Sequence, residues 1–156
     1  MINVLVCDDS TFMRRAITTM LSSDPKVNVV DTAKNGREAV ELAMKHRPDV
    51  ITLDVEMPEM DGLTALREIM AKCPTSVIML SSLTTEGSRA AMQALRLGAA
   101  DVLAKDQSQI STKIMSLQND LLSRVHALAE SKPVRTVPVK RETGTLNFRP
   151  GQFDLV

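Results

Sequence analysis

Residues 50–62 have the sequence VITLDVEMPEMDG, and this stretch decides the fold. Four apolar or β-branched residues lead directly to the carboxylate of Asp54, and the run then breaks at Pro58 and Gly62. This pattern predicts a buried parallel strand that ends in a loop. Asp54 is then expected at the carboxyl end of the strand, which is the edge of an open α/β sheet where ligands bind. The alternative is that Asp54 caps a helix, but several residues still separate it from the next helical pattern.

The rest of the chain alternates between short apolar runs and amphipathic helical patterns. Strands are predicted at residues 2–7, 27–33, 49–53, 77–80 and 102–103. A helical pattern follows each strand, beginning after Ser10, Gly36 and Gly62, near Glu86, and near Ser108 or Gln109. Strands linked by helices must be parallel, and right-handed crossovers then produce a doubly wound sheet. The predicted fold class is therefore α/β, a doubly wound five-stranded parallel sheet in which a βα unit repeats five times.

Two of the predicted helices have a continuous apolar face. On the first helix the face consists of Phe12, Met13, Ala16, Ile17, Met20 and Leu21. On the last helix it consists of Ile110, Ile114, Leu117, Leu121, Val125 and Leu128, at spacings of three and four. The last helix could also form a coiled-coil dimer, but it spans fewer than three heptads, so packing on the sheet is favoured.

The composition is that of a soluble globular protein. The chain has 156 residues, of which 44% are hydrophobic and 24% charged, and its formal net charge is zero. Residues 1–131 hold 14 basic and 17 acidic side chains, whereas the remaining residues hold 5 and 2. An acidic body with a basic tail fits a cation site better than a surface that tracks phosphates, so no nucleic-acid partner is expected.

No targeting or membrane segment is recognised in the sequence. The N-terminus opens on a strand pattern rather than on a basic region followed by a long apolar run. No apolar stretch approaches the roughly 20 residues that span a bilayer. Cys7 and Cys73 lack CxxC spacing and are interpreted as free thiols in a reducing compartment. We therefore expect a cytoplasmic protein without membrane insertion.

Polar side chains follow four of the five predicted strands. Asp8 and Asp9 follow the first strand, Asp54 the third, Ser81 the fourth and Lys105 the fifth. Three carboxylates at one sheet edge repel one another unless a cation lies among them, and an all-oxygen site suits Mg²⁺ or Mn²⁺. Because Mg²⁺ keeps open positions for other oxygens, this set favours phosphoryl chemistry.

A phosphoryl group on Asp54 would be stabilised by the other members of this set. The metal would face one equatorial oxygen, the Lys105 ammonium a second and the Ser81 hydroxyl a third. Taken singly, each residue has an ordinary alternative: a solvated turn for the Asp pair, a cap for Ser81, a surface charge for Lys105. Their conjunction at matching strand ends favours the functional interpretation. Movement of Ser81 toward the phosphate would alter the loop before the fourth helix and the surface around that helix.

The motifs at these strand ends resemble a known family, the response-regulator receiver domain of two-component signalling. They are Cys7-Asp8-Asp9-Ser10, the stretch from Leu53 to Gly62 and the isolated Lys105, within residues 1–128. The resemblance implies a flavodoxin-like fold in which Asp54 accepts phosphate from a phosphohistidine on a sensor histidine kinase. Ser81 is then the switch hydroxyl and Lys105 the phosphate partner. The implied Mg²⁺ ligands are Asp8, Asp9, Asp54 and the backbone carbonyl of Glu56.

A narrower resemblance comes from residues 77–84, VIMLSSLT, from Ala94-Leu95, and from residues 97–101, LGAAD. These segments are similar to the receiver half of the chemotaxis protein-glutamate methylesterases, the CheB family. In that family the second half hydrolyses glutamate methyl esters on chemoreceptors and deamidates glutamines, and the unphosphorylated receiver lies over its active site. The resemblance therefore implies a chemotaxis sensor histidine kinase as phosphodonor and chemoreceptors as partners of the esterase half.

The same resemblance suggests how the chain divides. We place a receiver domain at residues 1–128 and an interdomain linker at residues 129–152, which is basic and contains three prolines. Residues 153–156, FDLV, are similar to the start of the esterase domain's first strand, so a following esterase domain is expected. His46 and His126 lie on separate predicted surface helices and do not assemble a Ser-His-Asp arrangement here.

The residues leave three other functions open. A receiver can control a DNA-binding domain, although no helix-turn-helix pattern is present in this sequence. It can also act alone. A Mg²⁺-dependent phosphatase that forms an aspartyl-phosphate could use a similar set of strand-end residues.

Overall fold

Five strands alternate with five helices along the chain, as the sequence pattern predicts. The structure, a computed structural model, describes residues 1–57, 60–82, 85–105 and 110–131, without the side chains of residues 85, 86, 110–115 and 131. The elements are β1 (Ile2–Cys7), α1 (Thr11–Ser22), β2 (Val27–Ala33), α2 (Gly36–His46), β3 (Val50–Asp54), α3 (Gly62–Lys72), β4 (Ser76–Ser81), α4 (Thr85–Leu97), β5 (Asp101–Ala104) and α5 (Ile110–Ser131). The predicted start of the last helix, at Ser108 or Gln109, falls outside these residues.

All five strands form one parallel sheet in the order β2-β1-β3-β4-β5, which confirms the predicted doubly wound fold. The chain adds β2 on one side of β1 and then reverses to add the other strands on the opposite side. Such a reversal opens a crevice at the carboxyl ends of the two strands that flank it, here β1 and β3. Cys7 pairs with Leu53, so the residues that follow them leave the sheet side by side.

Apolar side chains cover both faces of the sheet. On one face, Leu5, Ile51 and Leu53 belong to a buried cluster that includes residues of α2, α3 and α4. On the other face, Val4 and Val50 belong to a second cluster that includes residues of α1 and α5. Every residue of β3 is buried, so this strand lies at the centre of the domain. Burial on both faces explains why its sequence is nearly continuous in apolar residues.

The last helix packs on the sheet, as the sequence favours. Leu121 and Val125 are fully buried in the second cluster, and Gln118 donates a hydrogen bond to Ser23 at 2.8 Å. The helix continues to Ser131 and so includes the first three residues of the predicted linker. The rest of that linker and residues 153–156 lie outside the described part of the chain. None of the described helices is both long and apolar enough to cross a bilayer.

One residue of the predicted apolar face of α1 lies outside the core. Phe12 is 59% exposed, although Met13 and Ile17 on the same helix are fully buried. The buried stripe of α1 runs through positions 13, 17 and 20–21, and the positions one residue earlier in each turn lie on the flank of the helix. Phe12 is on that flank, together with the partly buried Ala16. The apolar face predicted from the sequence is therefore wider than the buried stripe.

Capped helix starts fix the loops that leave the sheet. Ser10 accepts a hydrogen bond from the Met13 amide at 3.2 Å, as predicted, and begins α1 three residues after β1 ends. Asp61 accepts one from the Thr64 amide at 2.8 Å and begins α3. Asp61, rather than Asp54, is therefore the carboxylate that caps a helix in this region. The side chain of Asp54 is left free for another role.

Gly62 allows the loop after β3 to close against the strand. Its amide donates a hydrogen bond to the Val55 carbonyl at 2.8 Å. A Cβ atom at this position would overlap the backbone oxygen of Asp54. Only a residue without a side chain fits this approach, because the overlapping atom is backbone and cannot rotate away.

We expect Gly62→Ala to lower the free energy of unfolding by on the order of 2 kcal/mol or more, since the new methyl group displaces the end of β3. Urea unfolding followed by far-ultraviolet circular dichroism measures this change. Arg67→Ala, on the exposed side of the same helix, is the control and should change stability by less than about 0.5 kcal/mol. Equal stability of the two variants would contradict the packing described for Gly62.

Candidate functional site

Asp54 is the last residue of β3 and is only 1% exposed, so the predicted position at the strand's carboxyl end is confirmed. The backbone amide of Glu56 donates a hydrogen bond to Asp54 Oδ1 at 3.2 Å. Val55 continues the contact with the sheet, because its amide bonds to the Leu80 carbonyl at 3.0 Å. The loop thus turns back over the carboxylate that it follows and holds one of its oxygens.

Asp8 and Asp9 follow β1 and differ in environment. Asp8 is fully buried and Asp9 is exposed. The Asp8 carboxylate accepts a hydrogen bond from the Ser10 amide at 2.9 Å, and its own amide bonds to the Ala33 carbonyl at 3.0 Å. The Arg14 side chain also fixes the backbone of Asp8, since Arg14 Nη1 donates a hydrogen bond to the Asp8 carbonyl at 2.8 Å. One carboxylate of the pair is therefore fixed and the other faces solvent.

Lys105 lies immediately after β5 and is 7% exposed. Its amide bonds to the Ser81 carbonyl at 2.8 Å, which carries the pairing of β4 and β5 one residue further. Its ammonium donates a hydrogen bond to Asp8 Oδ2 at 3.0 Å. The same ammonium lies 2.9 Å from Asp54 Oδ2 as an ion pair without hydrogen-bond alignment. Lys105 therefore bridges the carboxylates of two neighbouring strands.

Burial and mutual repulsion set the protonation of this cluster. Burial first, and the nearby Asp8 charge second, raise the pKa of Asp54 to about 7, although Lys105 and the Glu56 amide work in the opposite direction. For Lys105, burial lowers the pKa, but attraction to Asp54 and Asp8 outweighs it, so the pKa is raised overall. The ammonium is thus kept charged, whereas the Asp54 carboxylate needs more positive charge than one lysine supplies.

The acidic cluster fits a hard divalent cation. Carboxylate oxygens of Asp8, Asp9 and Asp54 lie within 4.8 Å of one another. Asp54 Oδ2 is sealed from solvent and lies 2.9 Å from the Lys105 ammonium. An all-oxygen donor set with an excess of negative charge is the kind that Mg²⁺ and Mn²⁺ prefer. The chemistry of these residues is therefore compatible with the predicted metal.

Ser81 ends β4 and is 5% exposed. Its neighbour Leu80 belongs to the second cluster, on the face that α1 and α5 cover. Side chains alternate along a strand, so the Ser81 side chain leaves β4 on the opposite face of the sheet. Among the described residues, Ser81 joins the site through its backbone carbonyl, which accepts a hydrogen bond from the Lys105 amide. The structure thus brings Asp8, Asp9, Asp54 and Lys105 together, with Ser81 at the adjoining strand end. The metal-binding and switch roles predicted for these residues remain predictions.

Two residues of this region were missed by sequence reasoning. Arg14 positions the loop of Asp8 through a backbone contact, and the only signal for it is an arginine one helical turn after Ser10. Thr52 is fully buried in β3, and its hydroxyl has no hydrogen-bond partner. An unpaired buried hydroxyl costs roughly 1–3 kcal/mol. The signal for Thr52 was its position as a polar residue in an otherwise apolar run.

The histidines and cysteines lie in other places. His46 pairs with Asp31 at 3.1 Å and His126 with Asp24 at 2.5 Å, so each ties a helix to a neighbouring strand or loop. Cys7 is a buried free thiol, as expected, and burial raises its pKa well above the ordinary range. None of these side chains takes part in the described contacts of the carboxylate cluster.

The comparison with known families identifies the kind of domain. The family model described as response regulator receiver domain matches residues 4–115. The chain belongs to this family. Among solved structures, this receiver domain is similar to the response regulator domain of Thermotoga maritima CheB. The TM-score is 0.77 and the identity 45%, with 85% of this chain and 98% of that chain covered.

Another similar structure is the CheX-CheY-BeF3-Mg²⁺ complex from Borrelia burgdorferi. This receiver domain is 36% identical to the matched chain of that complex, with a TM-score of 0.61, and the match covers 74% of this chain and 88% of that one. The likeness in fold and sequence therefore extends to a chain of a complex that is named with magnesium and a beryllium fluoride.

Curated relatives are named protein-glutamate methylesterase/protein-glutamine glutaminase. The one from Nitratidesulfovibrio vulgaris is 50% identical over 136 residues, which are 87% of this chain and 37% of that protein. The one from Oleidesulfovibrio alaskensis is 51% identical over 150 residues, which are 96% of this chain and 38% of that protein. The chain spans about two fifths of the length of these relatives, and the identity lies within their receiver part.

We expect Asp54→Asn to stabilise this receiver domain increasingly as the pH rises. The pKa of Asp54 is about 7 in the folded chain and near its ordinary value when unfolded, so the parent loses stability as the pH rises through that window. The amide carries no such penalty. Without added Mg²⁺, the variant should gain roughly 2–4 kcal/mol over the parent between about pH 4 and about pH 7.

Urea midpoints at about pH 5 and about pH 8 measure this difference. Asp120→Asn, on the exposed side of α5, is the control and should match the parent at both pH values. A stability difference between Asp54→Asn and the parent that is the same at both pH values would show that Asp54 does not titrate in this window.

Proposed function

We propose that this receiver domain is the phospho-accepting regulator of a bacterial chemotaxis pathway. In this proposal Asp54 takes a phosphoryl group from a phosphohistidine on a chemotaxis sensor histidine kinase. The observation that supports it most is the state of Asp54. Its carboxylate is buried, ion-paired to a buried lysine and placed where two other carboxylates converge. A carboxylate with so perturbed an environment at a sheet edge is typical of a functional site.

The transfer is an in-line displacement. An oxygen of the Asp54 carboxylate attacks phosphorus while the bond from phosphorus to the donor's imidazole nitrogen breaks, and the imidazole leaves with that electron pair. The Glu56 amide, 3.2 Å from Asp54 Oδ1, holds the carboxylate in one orientation. The Lys105 ammonium lies close enough to move from Asp54 to the oxygens of the arriving phosphoryl group and to stabilise their charge.

We propose that Mg²⁺, or Mn²⁺ in its place, binds at the acidic cluster. The ligands would be Asp8, Asp9, Asp54 and the backbone carbonyl of Glu56. When bound, the ion supplies positive charge that favours ionised Asp54 and offsets the charge of the phosphoryl oxygens. The excess of carboxylates over ammonium groups supports this assignment, and so does the magnesium named with the related Borrelia burgdorferi receiver complex.

Ser81 is the proposed switch hydroxyl. It lies at the end of β4, where its carbonyl is already tied to Lys105, so both residues respond to charge placed on Asp54. The segment that follows Ser81 leads into α4, on which Met92 is 59% and Leu95 48% exposed. A shift of Ser81 toward the phosphate therefore alters the surface of a helix that presents apolar side chains. We propose that this surface contacts the output domain.

The proposed output is a fused protein-glutamate methylesterase and glutamine deamidase that acts on chemoreceptors. The names of the relatives and the identity of about one half over the receiver part support it. In this proposal residues 1–128 are the receiver domain, 129–152 the interdomain linker and 153–156 the start of the esterase domain. Phosphorylation of Asp54 relieves inhibition of the esterase. Two free thiols suit action in the reducing cytoplasm.

We expect the chain to gain one phosphoryl group when it is incubated with a small phosphodonor and Mg²⁺, as measured by intact mass. Asp54→Asn should gain none, because the attacking carboxylate is absent. Asp120→Asn, which keeps the whole cluster, should behave as the parent. Uptake by Asp54→Asn equal to that of the parent would assign the acceptor to another residue. Steady release of phosphate from many phosphate esters would support a phosphatase instead.

The longer protein tests the output. With methylated chemoreceptor as substrate, we expect the phosphodonor to raise the rate of methyl ester hydrolysis by at least tenfold in the parent and not in Asp54→Asn. Methanol release measures the rate. If the coding sequence beyond Val156 encodes a DNA-binding domain or a stop, the receiver assignment stands and the esterase proposal falls.

A further inference from the structure

The side chains of β3 form a column on the sheet face that α1 and α5 cover. Val50, Thr52 and Asp54 alternate with residues that point to the other face, so all three lie on this side. Thr52 pairs with Val6 on β1 and with Ile78 on β4. Thr52 therefore lies in an apolar row, directly beneath the row that contains the Asp54 carboxylate.

Two oxygens in this column are buried, one without a partner among the described residues and one paired with the Lys105 ammonium. They are Thr52 Oγ1 and Asp54 Oδ2, each with less than 1 Å² of accessible surface. Thr52 is 0% and Asp54 1% exposed. One residue can donate a proton and the other, when ionised, can only accept one, so the two are complementary. Asp54 Oδ2 is ion-paired with Lys105, whereas Thr52 Oγ1 has no partner among the described residues, which is unusual because most buried side-chain oxygens have one.

Strand geometry brings these two oxygens within reach of each other. Residues two apart on a strand are separated by roughly 6.6 Å on the same face. The threonine oxygen lies one bond and the aspartate oxygen two bonds beyond Cβ, so rotation of both side chains closes the gap. In the resting site, the charge of Asp54 Oδ2 is paired with the Lys105 ammonium, which lies 2.9 Å away.

The shape of the strand does not explain why a hydroxyl is present at this position. Valine has the same branched shape and the same preference for strands, and it would carry no unpaired polar atom. Its neighbours Val6 and Ile78 are apolar and fully buried, so the surroundings favour valine. The hydroxyl of Thr52 destabilises the resting structure. Its presence is explained if it forms a hydrogen bond in a second state of the site.

We propose that Thr52 is a positioning residue for Asp54. Its hydroxyl donates a hydrogen bond to Asp54 Oδ2 when an arriving phosphoryl group draws the Lys105 ammonium away. This inference rests on the proposed phosphorylation of Asp54. The new bond replaces the lost ion pair and keeps the carboxyl group oriented during transfer. Because the bond forms only as the phosphoryl group arrives, it accelerates the transfer rather than strengthening the resting site.

Three variants test this proposal. Thr52→Val keeps the shape and removes the hydroxyl, and Thr52→Ser keeps the hydroxyl and removes the methyl group. Ile78→Val, in the same row on the neighbouring strand, is the control for packing. For each variant, the urea midpoint is measured by circular dichroism. The rate of phosphoryl uptake from a small phosphodonor at saturating Mg²⁺ is measured by intact mass.

We expect Thr52→Val to unfold at the same or a higher urea midpoint than the parent, yet to take up phosphate about three- to tenfold more slowly, as loss of one hydrogen bond implies. Thr52→Ser should keep the parental rate. Ile78→Val should also keep it, despite a lower midpoint. A purely structural threonine would move the midpoint and leave the rate of uptake unchanged.

Other outcomes overturn the proposal. If Thr52→Val takes up phosphate at the parental rate, the hydroxyl has no role in the transfer. If Thr52→Ser takes it up slowly, the effect comes from packing of the methyl group. A lower midpoint for Thr52→Val shows that the hydroxyl is already paired in the resting state. If the parent itself takes up no phosphate, the proposed function fails first, and this result is distinct from a defect confined to the valine variant.

Discussion

The bridge that Lys105 makes between Asp8 and Asp54 is the interaction on which the site depends. Two carboxylates that are almost fully buried face each other from adjacent strands, and a single buried ammonium separates them. Removing the lysine would leave two buried carboxylates without compensation, which is far more costly than breaking a surface pair. The folded chain thus tolerates these acids because β5 delivers a lysine to the same edge.

The sheet order makes that delivery possible. β1 and β3 are neighbours, β4 follows, and β5 is at the outer edge beyond β4. Lys105 must therefore reach across the end of β4 to contact Asp54 and Asp8. Its amide is fixed to the Ser81 carbonyl at 2.8 Å, so the long side chain starts from a defined point. A charge that attracts the ammonium therefore also acts on the end of β4. Because the chain continues from β4 into α4, this contact links the chemistry to a surface helix.

Much of this arrangement could be predicted from the sequence, because strand ends leave a local signal. The apolar run before Asp54, and the short runs before Asp8 and Lys105, each stop at a polar residue, and parallel strands bring such ends to one edge. The predicted apolar face of α1 includes Phe12 because its side chain is apolar, whereas the structure buries only the stripe through positions 13, 17 and 20–21. The contact from Arg14 to the Asp8 carbonyl depends on backbone geometry that no residue pattern records.

Thr52 is another residue whose environment could not be predicted from the sequence. It is a polar residue in an apolar run, but its residue type also fits a strand, and only the structure reveals that its hydroxyl is unpaired. The layer that contains Thr52 is otherwise apolar, and the layer above it is acidic. A polar group at the boundary between two such layers costs stability in the resting state. It gains a partner only when charge is redistributed above it, which couples the packing of the core to the state of Asp54.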